Sequence, residues 1–194
     1  MKSRLVVIAL ALFLSACNEK SSQPNYQPPI YDWTFSFSPG LTGNCAAFKF
    51  PQTDGAHYCV KPAQATPGQT IAMTFTITGD TMPVQADDTP PATLRLFVWR
   101  AGDNISGQGV FQQYRIWGDQ VTNLTPGQHT VSVPLTPDHW TDVFGQQVSA
   151  AALASTLSSA YGIGYTFGGQ SFAGHGVRSR SGQATFQLDS FVIQ

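Results

Sequence analysis

Apolar and small polar residues alternate along three stretches of the chain, at residues 33–37, 71–77 and 185–193. A period of two places successive side chains on opposite faces of a strand, so this pattern predicts half-buried β-strands. Six more strands are predicted, at residues 46–50, 57–61, 94–100, 111–117, 129–135 and 162–167. Turn sequences rich in Gly, Pro, Asp and Thr separate them.

One segment, residues 150–160, favours a helix through its Ala and Leu content, although its Ser and Thr weaken that preference. Nine strands with at most one short helix predict an all-β fold, a single jelly-roll-like β-sandwich. Residues 31–194 show no second boundary, and about 164 residues are enough to build one hydrophobic core.

The N-terminus has the pattern of a secretory signal peptide over residues 1–16. Two cations precede an apolar run at residues 5–14, which is too short to span a bilayer permanently. The sequence Leu14-Ser15-Ala16-Cys17 then resembles the lipobox of bacterial lipoproteins. That resemblance implies cleavage before Cys17 and acylation of Cys17, for example with palmitate. An ordinary secretory cleavage that leaves Cys17 free is the alternative.

Residues 17–30 are polar and contain prolines, so they are predicted to form a lipidated tether that buries no core. Residue 18 is Asn and not Asp, so the lipoprotein resemblance does not point to retention in the inner membrane. It implies a bacterial cell envelope protein that is anchored in the outer membrane.

Composition narrows the classes of partner. Residues 1–16 contain two of the ten cations and none of the eleven acids, so the remainder carries a net charge of −3. This balance argues against nucleic acid as a partner, because phosphate binding needs clustered cations. Charged residues make up 11% of the chain, well below the roughly 25% of an average soluble domain. A surface of Gln, Thr, Ser and Asn suits neutral, hydroxyl-rich partners.

Enzymatic activity is not expected. Glu19, in the tether, is the single glutamate of the chain. Paired carboxylates that include a glutamate acid are typical of glycosidases, so a hydrolase of that class is disfavoured. Residues 169–174 resemble a nucleophile elbow only loosely, and no strand-to-helix context supports a serine hydrolase.

With Cys17 assigned to the lipid, Cys45 and Cys59 remain as a pair in an oxidising compartment. A disulfide between them is therefore predicted. A structural zinc site is the alternative, but with His57 as the one nearby ligand it is a ligand short.

Three segments resemble the jelly-roll carbohydrate-binding modules and their galactose-binding-like relatives: residues 127–135 followed by Trp140, residues 160–169, and residues 182–191. The resemblance covers the last third of the domain and implies non-catalytic glycan binding. In that family a structural calcium often joins the first and last strands through aspartate or backbone oxygens. Carried onto this chain, it points to Asp32 and Asp189, with no other cofactor required.

Two strands carry the candidate ligand surface. If Leu96, Val98 and Ile116 point into the core, one set of side chains shares the opposite face: Arg95, Trp99, Arg115 and Trp117. Flat aromatic rings beside cations suit sugars, whose C–H groups pack on rings while their hydroxyls meet polar groups. Alternatives are reversed parity with the tryptophans in the core, burial of both faces by loops, and a protein-docking surface.

Tyr165 and His175 complete the candidate set. His175 lies in a glycine-rich run, residues 168–180, where close backbone approach and positive φ are accessible. This run is either one rim of a binding cleft or a plain strand connection. Asp103 and Asn104 are interpreted as solvated turn residues. The expected function is glycan binding by a lipid-anchored envelope protein, and the alternative is a structural lipoprotein that docks a protein.

Overall fold

The computed structural model describes residues 34–37, 45–52, 55–85, 92–169 and 174–194. Within these residues the fold is dominated by strands, arranged as two sheets that enclose a common hydrophobic core, with one α-helix. The prediction of an all-β sandwich with at most one short helix is therefore confirmed. Cys17 and Asp32 lie outside the described residues, as does the whole of the predicted leader and tether.

The strands, in chain order, are β1 (Thr34–Phe37), β2 (Ala47–Lys49), β3 (Ala56–Lys61), β4 (Thr70–Gly79), β5 (Pro83–Gln85), β6 (Thr93–Arg100), β7 (Arg115–Gly118), β8 (Thr122–Asn123), β9 (Gly127–Pro134), β10 (Trp140–Thr141), β11 (Ala160–Gly168), β12 (Val177–Ser179) and β13 (Ala184–Ile193). The larger sheet has the order β10-β7-β6-β11-β3-β12-β5, with β1 paired to β3 and β8 paired to β6. The smaller sheet has the order β2-β13-β4-β9. All of the strand pairs are antiparallel.

Strand β4 shows why the period-two pattern predicts this fold. Ile71, Met73, Phe75 and Ile77 are all buried between the sheets, while the residues between them face outward and are partly exposed. Burial of each large apolar side chain stabilises the fold by about 1.5–3 kcal/mol relative to its exposure. The alternation therefore determines which face of the smaller sheet meets the larger one.

One strand prediction was wrong over part of its length. Residues 111–117 were expected to be extended, but Gly109–Gln113 forms a 3-10 helix and β7 begins only at Arg115. Gly109 adopts a φ of 56°, which turns the chain, and the backbone N–H of Tyr114 donates to Phe111 O at 3.2 Å. These local bonds replace a strand ladder in the first half of the segment.

The single α-helix, α1, spans Ala150–Ser158, within the predicted 150–160. It begins where Ser149 Oγ accepts a hydrogen bond from the backbone N–H of Ala152 at 3.1 Å, a side-chain cap for an otherwise unpaired donor. Leu153 and Leu157 lie on its buried face and join the core between the sheets. None of the helices in the described residues is long and apolar enough to cross a membrane.

The predicted disulfide is confirmed: Cys45 and Cys59 are bonded, with their Cα atoms 5.7 Å apart. Both cysteines are buried in the core. The hydroxyl of Tyr165 donates to the carbonyl oxygen of Cys45, so the chain entering β2 is held to the larger sheet by a covalent bond and by a hydrogen bond.

Strand β9 forms one edge of the smaller sheet, and the side chain of Gln120 lies against that edge. Its Nε2 donates to Thr130 O at 3.4 Å, and its Oε1 accepts from the backbone N–H of Ser132 at 2.9 Å. One side-chain amide thus occupies two of the backbone groups that a further strand would use.

Candidate functional site

The face of the larger sheet that points away from the core carries a second, smaller hydrophobic cluster. We call it the outer aromatic cluster, and its members are Tyr58, Val60, Phe97, Trp99, Trp117, Val143 and Tyr161. Leu96, Val98 and Ile116 lie instead in the main core between the sheets. The predicted parity of β6 and β7 is therefore correct, and both tryptophans lie on the outer face.

Strand pairing brings the predicted residues of β6 and β7 together. Phe97 pairs with Trp117 and Trp99 pairs with Arg115 in the antiparallel register. The rings of Phe97 and Trp117 stack with centroids 5.4 Å apart, and that of Trp99 meets Tyr161 edge-on at 5.2 Å. These ring geometries are the favourable ones for aromatic pairs.

Glycines in β11 let rings from separate strands meet across it. Gly164 pairs with Phe97 on one side and with Val60 on the other, so the strand contributes no side chain between β6 and β3 at that row. The ring of Tyr58, from β3, therefore reaches Trp99 at 5.2 Å. The Cβ of any larger residue at 164 would lie 1.9 Å from Cys59 O, which makes glycine obligatory there.

The tryptophan rings are not an open platform, and this corrects the expectation of exposed flat rings. Trp99 is 6% exposed and Trp117 is 8% exposed. Two loops, residues 101–114 and residues 142–147, pack over them. The arrangement agrees with the alternative given by the sequence analysis, in which loops bury the outer face of these strands.

Asp103 holds the first of these loops in place. Its Oδ2 accepts a hydrogen bond from Trp99 Nε1 at 3.0 Å and lies 2.8 Å from Arg115 Nε, while its Oδ1 accepts from the backbone N–H of Ile105 at 3.0 Å. The side chain of Asp103 is 1% exposed. The interpretation of Asp103 as a solvated turn residue is therefore wrong, because its carboxylate is buried against a guanidinium and an indole.

The second loop is tied to the first through buried Asp142. Its carboxylate accepts hydrogen bonds from Gln112 Nε2 and from the backbone N–H groups of Phe144 and Gln146. The backbone N–H of Val143 also donates to Gln112 O at 3.3 Å, and the Val143 side chain packs on the outer aromatic cluster. The two loops therefore cover the cluster as one connected layer.

Arg95 lies at the side of the cluster nearest to the end of β7. Its Nε donates to the carbonyl oxygen of Gly118 at 2.8 Å. Burial lowers the pKa of the Arg95 guanidinium from its ordinary value, and the charge of Asp119 opposes that shift. A guanidinium stays protonated at neutral pH, so Arg95 is a fixed, half-buried cation on this face.

Buried polar atoms without an aligned hydrogen bond concentrate on this same outer face. Among buried side-chain atoms of the described residues, three have no aligned hydrogen-bond partner: Arg115 Nε, Trp117 Nε1 and Thr166 Oγ1. Arg115 Nε is close enough to Asp103 for an ion pair, but its N–H does not point along the line to the oxygen. Thr166 pairs with Arg95 and with Tyr58, which places it on the outer face as well. Buried groups of this kind are rare in native proteins and need a specific explanation.

Exposed apolar side chains lie on the outside of the covering loops. Ile105 is 62% exposed, Val110 is 72% exposed and Phe144 is 63% exposed. Ile105 also has a φ of 67°, a left-handed conformation that is strained for a β-branched residue. Its carbonyl oxygen accepts from Arg115 Nη2 at 2.9 Å, so the same cation holds both the loop and its strained residue.

The structure does not bring Tyr165 or His175 to this face. Tyr165 is fully buried in the core between the sheets, because its position in β11 has the opposite parity to that of Thr166. Its pKa is raised well above the ordinary tyrosine value by burial. His175 is exposed just before β12, which lies four strand positions from β7, or about 19 Å across the sheet.

Asp189 lies on the other sheet, exposed at an irregularity of β13 between Leu188 and Ser190. Its Oδ2 accepts hydrogen bonds from Thr76 Oγ1 at 2.7 Å and from Gln128 Nε2 at 3.3 Å. No group of three or more His, Cys, Asp or Glu side chains that could hold a metal ion is found in the described part of the chain. Calcium ligation by Asp189, which the resemblance implies, stays a prediction.

Tyr58, Tyr161 and Asp103 were not predicted to belong to the site. Tyr58 reaches it across the glycine positions of β11, and Gly162 and Gly164 in an alternating strand are the signal that indicates such a gap. Tyr161 joins it at the register shift of β11 between Ala160 and Gly162. Asp103 gave no comparable signal, since its contacts with Trp99 and Arg115 depend on how the intervening loop folds.

Comparison with known proteins adds no family to this description. No family model, curated protein or solved structure matches this chain. The site is therefore assigned from its own geometry.

Proposed function

We propose that this chain is a non-catalytic, lipid-anchored protein of the bacterial cell envelope that binds a glycan on the outer face of its larger sheet. One observation carries the proposal: the outer aromatic cluster and the three buried polar atoms without an aligned partner lie on the same face. Rings with polar donors beside them are the combination that a sugar requires, since its C–H faces stack while its hydroxyls form hydrogen bonds.

Binding by this mechanism has no covalent step and uses no cofactor. The loop of residues 101–114 moves off the cluster, and the sugar stacks on the ring of Trp99 or Trp117. Trp117 Nε1 and the guanidinium of Arg115 donate to its hydroxyls, and Arg95 supplies a further cation at the edge. Each well-buried ring contributes on the order of 1–2 kcal/mol, so the affinity is modest.

The test is a glycan-array screen of the full-length chain, purified in mild detergent, beside its Trp117→Phe variant. The substitution keeps an aromatic ring and removes an indole N–H that has no partner, so the fold is retained and a ligand contact is lost. We expect binding to fall about tenfold, as for the loss of one hydrogen bond to a ligand.

Trp140→Phe is the matched control, because Trp140 is buried in the core and its Nε1 donates to Pro134 O at 2.8 Å. It removes an indole from the opposite, core-facing side of the larger sheet and is expected to leave glycan binding unchanged. The screen is run with and without calcium, since the family resemblance implies a pair of ligands at Asp32 and Asp189. A folded chain that binds no glycan, or a Trp117→Phe variant that binds as the wild type does, contradicts the proposal.

The anchor has its own test. We expect the chain to incorporate an alkyne-tagged palmitate in bacteria and to fractionate with the outer membrane. Cys17→Ser is expected to abolish both, because the lipobox resemblance assigns the lipid to that thiol. Cys45→Ser, which removes a cysteine of the disulfide, is the control and is expected to remain labelled. Palmitate labelling that persists in Cys17→Ser counts against the anchor.

A protein-docking lipoprotein is the second candidate. The exposed side chains of Ile105, Val110 and Phe144 on the covering loops favour it, since exposed apolar patches mark interaction sites. Under this alternative the loops stay closed and Phe144→Ser prevents co-purification of one envelope protein. Glycan binding that survives Phe144→Ser favours the first candidate.

A further inference from the structure

In the closed arrangement of the loop at residues 101–114, the Asp103 carboxylate contacts polar donors of the proposed binding site. Asp103 Oδ2 is shared between Trp99 Nε1, at 3.0 Å, and Arg115 Nε, at 2.8 Å. A guanidinium beside an indole N–H, with the ring faces of the cluster around them, is an arrangement that recognises an anion attached to a stackable ring. In this structure the anion comes from the chain itself.

The segment that delivers Asp103 is held in a strained form. Ile105 has a φ of 67° and projects its apolar side chain into solvent. Asp103 Oδ1 and Arg115 Nη2 fix it in that conformation through its backbone N–H and its carbonyl oxygen. Displacement of Asp103 removes the first of these restraints and allows the strain to relax, and strain of this kind is typically found at ligand clamps and switches.

The Asp103 carboxylate does not satisfy all of the donors on this face. The N–H of Arg115 Nε does not point at Oδ2, and Trp117 Nε1 has no partner among the described residues. These two residues are separated by one position in β7, so their side chains emerge on the same face about 7 Å apart. A ligand that carries hydroxyls next to its carboxylate supplies acceptors for both.

We propose that the ligand is a glycan containing uronic acid, and that the Asp103 side chain occupies the position of its carboxylate while the site is closed. This inference rests on the proposed function and names the class of glycan. The uronate carboxylate replaces that of Asp103 on Trp99 and Arg115, and the loop of residues 101–114 opens. The net negative charge of the protein does not prevent this, because Arg95 and Arg115 place positive charge on this face and charges beyond about 8 Å are screened at physiological salt.

The test is calorimetric titration of the full-length chain, purified in mild detergent, with trimers of galacturonate, glucuronate and mannuronate. Each trimer is paired with the same trimer after reduction of its carboxylates to primary alcohols. Reduction removes the charge and keeps the ring hydroxyls, so the difference within a pair measures carboxylate recognition. We expect the wild type to prefer one uronate trimer to its reduced form by about tenfold.

Asp103→Asn is expected to bind that uronate trimer about tenfold more tightly than the wild type. The neutral amide competes less for Arg115, so a larger fraction of the protein is open. Asp80→Asn is the control, because it makes the same substitution just after β4 of the smaller sheet, where Asp80 Oδ1 accepts from the backbone N–H of Gln183 at 2.7 Å, and we expect it to leave the affinity within about twofold. Arg115→Gln is expected to abolish the preference for the uronate.

Equal binding of the uronate and reduced trimers by the wild type overturns this inference and leaves the proposed function standing. Asp103→Asn that is folded and binds no more tightly also overturns it. If circular dichroism shows Asp103→Asn to be unfolded, the inference is judged on two other results. These are the preference of the wild type for the uronate trimer and the loss of that preference in Arg115→Gln. If the protein binds polyglutamate and none of the uronate trimers, the partner is an acidic protein and this inference is overturned. If the protein binds neither charged nor neutral glycans, the proposed function itself is overturned.

Discussion

His139 and Asp119 form an exposed pair next to the end of β7. His139 Nδ1 lies 2.8 Å from Asp119 Oδ2, and its Nε2 lies 3.6 Å from Asp138 Oδ2. The hydrogen bond with Asp119 raises the pKa of His139 above its ordinary value, and the charge of Asp138 adds less. The imidazolium form is therefore favoured in the folded protein relative to the unfolded chain.

A pKa that is higher in the folded state fixes the sign of the pH dependence. The contribution of this pair to stability is fully present below the ordinary histidine pKa of about 6.5 and is lost as the pH rises through the folded-state value. Asp119→Asn is expected to lower the His139 pKa, as measured by an NMR titration of its ring protons, and Asp138→Asn is expected to lower it less. An unchanged pKa in Asp119→Asn would contradict this assignment.

At the scale of single residues, the sequence predicts which face of the sheet Trp99 and Trp117 occupy, but it does not predict that their rings are buried. Alternation in β6 and β7 correctly places Trp99 and Trp117 opposite Leu96. The cover over them depends on Asp103, whose contact with Arg115 spans twelve positions and requires the loop to fold back. A period of two carries no information about such a contact, because it describes only the strand itself.

At the scale of the structural elements, strand β11 shapes the outer aromatic cluster because its glycines carry no side chains. Gly162 and Gly164 face the outer aromatic cluster, and the missing side chains allow Tyr58 to contact Trp99 across the strand. The strand itself lay in a predicted segment, residues 162–167, because its apolar and aromatic content favours extended backbone. The glycines indicate a gap from the sequence, but which residues of β3 and β6 meet across it depends on the strand pairing.

Gly164→Ala is expected to reduce the free energy of unfolding by about 3 kcal/mol or more, since its Cβ would lie 1.9 Å from Cys59 O and the backbone must shift. The measurement is urea denaturation. Gly145→Ala is the control: its added Cβ would meet nothing within 4 Å, and only its φ of 75° causes strain, worth about 1–2 kcal/mol. Equal losses in the two variants would refute the close approach as the cause.

On the scale of the whole molecule, the disulfide is the covalent link that closes the chain between residues 45 and 59. Its loop of fourteen positions is expected to stabilise the fold by about 3 kcal/mol through the unfolded state. The double variant Cys45→Ser with Cys59→Ser should lose that amount in urea denaturation, and a reductant should lower the wild-type midpoint while leaving that of the variant unchanged. A reductant that affects both equally would argue against this role.

The two-sheet architecture was predictable because nearly every long strand carries the alternating pattern, as in β4 and β13. The short strands β5, β8, β10 and β12 were not predicted, since two or three residues give too few positions for a period to be recognised. Their pairing is determined by longer neighbours, which is a property of the assembled sheet.

Gln120 has a consequence for the behaviour of many copies together. The exposed edge of β9 is eight residues long, and an edge of that length is a template on which another chain can add a strand. Because the amide of Gln120 already occupies Thr130 O and the N–H of Ser132, an incoming strand must first displace it. Gln120 is therefore expected to hinder edge-to-edge association at the middle of β9 in concentrated protein.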